Sequence, residues 1–209
     1  IVRTGSIQTA LNGGTNVTVT TGAAGSPGGD VDNITVNDDI RFYRLLGNTG
    51  NLFLNAANDI ILNANIYALS TSIIPALNNI PTTAAGDVTL TAGRNININS
   101  GKDIVLGYFG KATLNAVDVI LSAGSTITTR SGGIAINNTG RFQGDAASLN
   151  ADSGLLGGSV KVGQSAGNSI QTAINAIGTY GSVAGAKVVL GAGTFTEGFQ
   201  LIGRNNFSV

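Results

Sequence analysis

Residues Asp87–Asn138 read DVTLTAGRNININSGKDIVLGYFGKATLNAVDVILSAGSTITTRSGGIAINN. Short alternating stretches begin at Val88, Ile96, Ile104, Ala112, Val119, Ile127 and Ile134, at intervals of 8, 8, 8, 7, 8 and 7 residues. In VTL, INI, IVL, VIL and IAI the first and third residues are aliphatic, the period-two signature of a strand with one face inside. Every third start returns the chain to an equivalent position, as from Val88 to Ala112 and from Ala112 to Ile134. Strands this short bury nothing alone. Stacked about 4.8 Å apart, their equivalent residues line a continuous interior column. The spacing therefore predicts an all-β chain, a right-handed parallel β-helix of about 23 residues per three-strand coil, with roughly seven to nine coils.

The turns between strands, TAGRN, NSGKD, SAGS and RSGG, carry Gly, Asn, Asp and Ala, residues suited to tight backbone. Asn33, Asp59, Asp87, Asn95, Asp103 and Asp118 each directly precede an Ile or Val at a strand start. Interchange of Asp and Asn in one slot fits a corner residue that bonds local backbone and does not fit a catalytic acid. The same oxygens could ligate calcium, but the glycine-rich nonapeptide calcium repeat is absent. The sequence asks for no cofactor, no metal and no catalytic residue.

Working outward, SIQTALNGGTNVTV from Ser6 predicts a helix over 6–12, capped by Ser6 and stopped by Gly13 and Gly14, and then a strand. Near the other end, Ile170, Ala173, Ile174 and Ile177 form a helical stripe over 169–178, with Ser169 as cap, and Lys187–Leu190 reads as a strand. SIQTAI at 169–174 nearly repeats SIQTAL at 6–11. A helix over a coil end would cover its open edge, so each marks a module start. The division expected is a β-helix module over 1–158 and the beginning of a second over 159–209. Within the first, 23–32, 67–86 (with Pro75 and Pro81) and 140–158 break the beat and are expected as extruded loops.

Composition narrows the function. The 209 residues carry 11 basic and 11 acidic side chains, which leaves no electrostatic footprint for nucleic acid. Histidine and cysteine are absent, removing the commonest general base and every thiolate site. No run of about 18 apolar residues suggests a membrane span. The first residue is not Met, so a processed product or a portion of a longer chain is expected. Asp30 with Asp32, and Asp38 with Asp39, are paired carboxylates beside turns, read as solvated. Arg41, Tyr43 and Arg44, in DDIRFYRLL, form the densest charged and aromatic cluster. A contact to a glycan or partner is one reading, with Tyr43 as stacking surface and arginine as carboxylate ligand; alternating exposed residues of a strand is the other. Asn-x-Ser/Thr triplets at Asn16, Asn33, Asn137 and Asn206 fit a glycosylation acceptor.

The segments NLFLNAANDIILNANI and GDVTLTAGRNININSGKDIVL resemble the repeats of filamentous-haemagglutinin-like exoproteins, surface adhesins of Gram-negative bacteria exported by two-partner secretion. SIQTAINAIGTYGSVAGAKVVLGAGTFTEG is similar to the start of a pectin-lyase-like β-helix module. The first resemblance implies a structural or adhesive segment of a secreted or cell-surface protein, a rod-like stalk or filament repeat serving attachment or biofilm contact. Its partners would be neighbouring modules or subunits end to end, and a host or neighbouring-cell surface or glycan. The second implies the alternative, a polysaccharide-binding or polysaccharide-cleaving domain. The Asn-Pro-Asn-Gly or Asn-Pro-Asn-Leu motif of the secretion domain is replaced by Asn63-Ala64-Asn65-Ile66, which favours an internal stalk segment.

Overall fold

A computed structural model describes residues 2–22, 32–44, 50–70, 73–74, 80–81, 85–152, 160–164, 170–178, 186–192, 194–201 and 208–209. In chain order the elements are α1 (Thr4–Asn12), β1 (Val17–Thr20), β2 (Ile34–Val36), β3 (Ile40–Arg44), β4 (Leu52–Ala56), β5 (Ile60–Leu62), β6 (Ile66–Ser70), β7 (Ile73–Ile74), β8 (Ile80–Pro81), β9 (Val88–Ala92) and β10 (Asn95–Ile98). They continue as β11 (Asp103–Tyr108), β12 (Ala112–Ala116), β13 (Asp118–Leu121), β14 (Thr126–Arg130), β15 (Ile134–Asn138), β16 (Phe142–Gln143), β17 (Leu149–Asp152), β18 (Val160–Gln164), α2 (Ile170–Ala176) and β19 (Lys187–Leu190).

Successive strands turn from one face of a three-sided coil to the next. Face A stacks β1, β4, β9, β12, β15, β18 and β19; face B stacks β2, β5, β10, β13 and β16; face C stacks β3, β6, β11, β14 and β17. Every neighbour within a face is parallel. The fold is a parallel β-helix, and among the described residues five coils carry a strand on all three faces. The beat read from the sequence holds in register: Val88 lies opposite Ala112, Ile96 opposite Val119, Ile104 opposite Ile127, and Ala112 opposite Ile134.

There are fewer coils than expected because the N-terminal ones are longer. Leu52 lies opposite Val88 and Ile66 opposite Ile104, each pair separated by far more chain than the pairs that follow. Part of that length leaves the coil after Ser70. There β7 and β8 form a separate antiparallel pair, in which Pro81 faces Ile73 outside the parallel ladder. A proline is tolerated in such an edge position. Residues 67–70, expected in the loop, belong to β6 and pair with β3; 71–72, 75–79 and 82–84 lie outside the described residues, as do 23–31. In the range 140–158 the beat continues, with Phe142 opposite Val119 and Leu149 opposite Ile127, and 153–158 are not described. Face A runs on past residue 158, since β18 pairs with both β15 and β19.

The interior is built of aliphatic columns, one step per coil. Ile34, Ile60, Ile96, Val119 and Phe142 line face B; Ile40, Ile66, Ile104, Ile127 and Leu149 line face C; all are buried. At the corner leading into face A a glycine recurs two positions before the strand: Gly50, Gly86, Gly110 and Gly132. A Cβ on Gly86 would fall on the Gly50 carbonyl oxygen, and one on Gly132 on the Gly110 carbonyl oxygen. Backbones approach there too closely for any side chain.

Helix α1 covers the first strand of face C. Its Ile7 and Leu11 are buried, and Asn12 Oδ1 accepts the backbone N–H of Tyr43 at 2.7 Å. The helix starts earlier than Ser6: Arg3, in extended conformation, is the N-cap and supplies no side-chain cap bond, and Gly13 is the C-cap. Helix α2 lies over the last strands of faces B and C, where Ile177 bridges to Leu149 and the N–H of Gly178 donates to the Leu149 carbonyl at 2.7 Å. The expected cap, Ser169, lies outside the described residues. The two SIQTA glutamines act alike. Gln8 Nε2 reaches the Asp39 carbonyl at 3.5 Å, and Gln171 Nε2 reaches that of Gln200 at 3.3 Å. No helix among the described residues is long and apolar enough to cross a membrane.

Candidate functional site

The corner residues form three side-chain ladders along the solenoid. At the start of face A, Asn16 Oδ1 accepts the N–H of Asn51 (3.0 Å), Asn51 Oδ1 that of Asp87 (2.9 Å), and Asp87 Oδ1 that of Lys111 (2.8 Å). At the start of face B, Asn33 Oδ1 accepts from Asp59 (3.0 Å), Asp59 Oδ1 from Asn95 (3.1 Å), and Asp118 Oδ1 from Arg141 (2.6 Å). At the start of face C, Asp39 Oδ1 accepts from Asn65 (2.9 Å), Asn65 Oδ1 from Asp103 (2.9 Å), and Asp103 Oδ1 from Thr126 (3.0 Å). Asp and Asn serve equally because each presents an oxygen one coil below a backbone N–H. Asn16, Asn51, Asn65 and Asp39 belong to the ladders as well. Their signal was the same Asx one position ahead of a Val, Leu or Ile, masked by the longer N-terminal coils.

Amide-to-amide bonds run beside these ladders. Asn63 Nδ2 donates to Asn37 Oδ1 (2.8 Å) and Asn99 Nδ2 to Asn63 Oδ1 (2.5 Å), while on face A Asn137 Nδ2 donates to Asn115 Oδ1 (2.8 Å). The carboxylates of the ladders are engaged with backbone or with arginine. Asp59, buried, pairs with Arg94 at 2.9 Å, and Asp39 pairs with Arg41 at 2.8 Å. The Arg41 guanidinium, and after it the Asn65 N–H, hold the Asp39 carboxyl below its usual range, and Asp39 in turn raises Arg41. Among the described residues no three acidic side chains gather as a metal site would require.

The three outer faces differ chemically. Face A shows mostly Thr and Asn, among them Thr18, Thr89, Thr113, Asn115 and Asn137. Face C carries Arg41 and Tyr43 on β3, Tyr67 on β6, Tyr108 on β11 and Arg130 on β14, so three of the chain's four tyrosines share it. The fourth, Tyr180, lies outside the described residues. Of the cluster read from sequence, Arg41 and Tyr43 are exposed, and Arg44 continues the strand with its side chain undescribed.

Arg41 stacks over a ring that its own segment does not contain. Its guanidinium lies 4.6 Å from the centre of Tyr67, its register partner in the next coil. A second couple was not foreseen at all: Arg130 lies 5.2 Å over the ring of Tyr108, with Nη1 3.3 Å from the phenol oxygen. Alternation along DIVLGY puts Val105 outside and would turn Tyr108 inward, but the register slips between them and Tyr108 comes opposite Arg130. Bulges re-aim side chains in this way. Arginine planes held on tyrosine rings keep their N–H edges directed sideways, the geometry for binding planar anions.

No family model, no curated protein and no solved structure matches this chain.

Proposed function

We propose that this chain is a non-catalytic, rod-like β-helical segment of a secreted or cell-surface bacterial exoprotein, a stalk or filament repeat that mediates attachment. The observation that carries the reading is the set of corner ladders: among the described residues from Asn16 to Arg141, each coil bonds the next through a side-chain oxygen at one or more of its corners. Such a stack grows by repetition, each repeat contacting only its neighbours. Its face A presents mostly hydroxyls and amides, which suits prolonged exposure to water. The likeness of its repeats to haemagglutinin-like exoproteins supports an extracellular, adhesive setting with further modules end to end. Beads coated with the chain are expected to adhere to bacterial or animal cells more than beads coated with an unrelated β-rich protein. Equal retention would sink the reading.

The segregation of tyrosine and arginine on face C favours a second reading, a module that holds or acts on polysaccharide. Release of new chain ends from acidic polysaccharides incubated with the protein would overturn the non-catalytic assignment.

A further inference from the structure

We infer that the outer face of face C, centred on Tyr108 and Arg130 and reaching to Tyr67 and Arg41, is a binding site for an extended carboxylate-bearing oligosaccharide. The inference rests on the attachment reading and gives it a ligand. Three features of one bulge meet at Tyr108. The bulge in β11 turns its side chain from the core row to the outer row. Gly107 makes that possible, since a Cβ there would lie 2.8 Å from the backbone nitrogen of Ser70. Phe109, next in the chain, holds a φ of 65°, in the left-handed region that bulky residues avoid. Strain of this kind persists only where surrounding structure enforces it, and it gathers at working sites.

The chemistry of the face selects the ligand. Tyr67 and Tyr108 lie one coil apart and two positions apart along the strand, roughly 8 Å from centre to centre by sheet geometry, so two rings are presented to one extended chain. Sugar rings pack their C–H groups against aromatic rings, and the Arg130 guanidinium held over Tyr108 is placed to receive a carboxylate, while Arg41 over Tyr67 is already paired with Asp39 at 2.8 Å and adds positive charge to the face. An acidic peptide fits less well. Strands β6, β11 and β14 are paired on both sides, so a peptide finds no free strand edge to extend.

The test is titration calorimetry at low salt with hyaluronan hexasaccharide, maltohexaose and hexaglutamate against the whole chain. Binding of the hyaluronan probe alone is expected, weakened at least about tenfold by Arg130→Gln and by Tyr108→Leu, as for loss of a charge-assisted pair. Arg94→Gln, which removes the same charge at another corner, should leave the affinity unchanged. Thermal melts establish that each variant is folded. Absence of hyaluronan binding, equal binding of hexaglutamate, or indifference to Arg130→Gln and Tyr108→Leu would overturn the site. Beads that still adhere to cells in that case would leave the attachment reading standing, while binding of the hexasaccharide by a chain whose beads do not adhere would do the reverse.

Discussion

Arg94 closes over the buried carboxylate of Asp59, Nη2 to Oδ2 2.9 Å, while the other oxygen of that carboxylate accepts the backbone N–H of Asn95 at 3.1 Å. One side chain thus fastens two residues of the next coil. Asp59→Ala leaves the part-buried Asn95 N–H without its acceptor and should cost about 2 kcal/mol, whereas Asp59→Asn keeps the acceptor and should cost about 1 kcal/mol or less. Arg94→Gln, at an exposed guanidinium, should cost under about 1 kcal/mol. Urea unfolding of the three variants checks the order.

The glycine corner separates steric from conformational cost. Gly132→Ala drives a methyl onto the Gly110 carbonyl and should destabilise by about 2 to 3 kcal/mol. Gly101 has open space around its Cβ position but a φ of 65°, so Gly101→Ala should cost only about 1 kcal/mol. Equal melting temperatures for the two variants would contradict the stacked-backbone account.

Helix α1 offers a gain. Gly5 lies within the helix with nothing near its Cβ position. Gly5→Ala should raise stability by about 0.5 to 1 kcal/mol by restricting the unfolded chain, seen as a higher melting temperature.

Asp39 sets an acid limit. Its carboxyl titrates below the ordinary value of 3.8, first because Arg41 bonds it and then because the Asn65 N–H does. A depressed folded value contributes stability that is present above the ordinary value and lost as pH falls through the folded one. Asp39→Asn should therefore flatten the loss of stability below about pH 4 while lowering stability at neutral pH. A variant whose acid transition matches the parent's would remove Asp39 from the account.

How far the sequence could be read depended on whether neighbours in space were regular neighbours in sequence. Between Val88 and Asn138 coils of nearly constant length made the register visible, and the four long-range pairs expected there are the pairs found. Before Val88 the same pairing spans longer and unequal stretches of chain, so the Asx at Asn16, Asn51 and Asn65 had no audible beat. Phe142 and Gln143 make too short a strand for alternation to announce. The arginine and tyrosine of β3 drew notice as a local cluster, but a whole coil of intervening chain hid Tyr67 from it. Tyr108 was hidden more deeply, because a period-two reading assigns it to the core, and only a slipped register places it outside. The start of α1 misled for a simpler reason: Ser6 is a good cap residue, yet the chain had already turned at Arg3.

The corner ladders also have a direction. In Asn16, Asn33 and Asp39, and again in Asn51, Asp59 and Asn65, the side-chain oxygen always receives from a residue later in the chain, never from an earlier one. Each finished coil therefore holds out side-chain acceptors for its successor's N–H groups, while its own strand-entry N–H groups, those of Val17, Ile34 and Ile40, are met only by the carbonyls of Asn51, Asp59 and Asn65 in that successor.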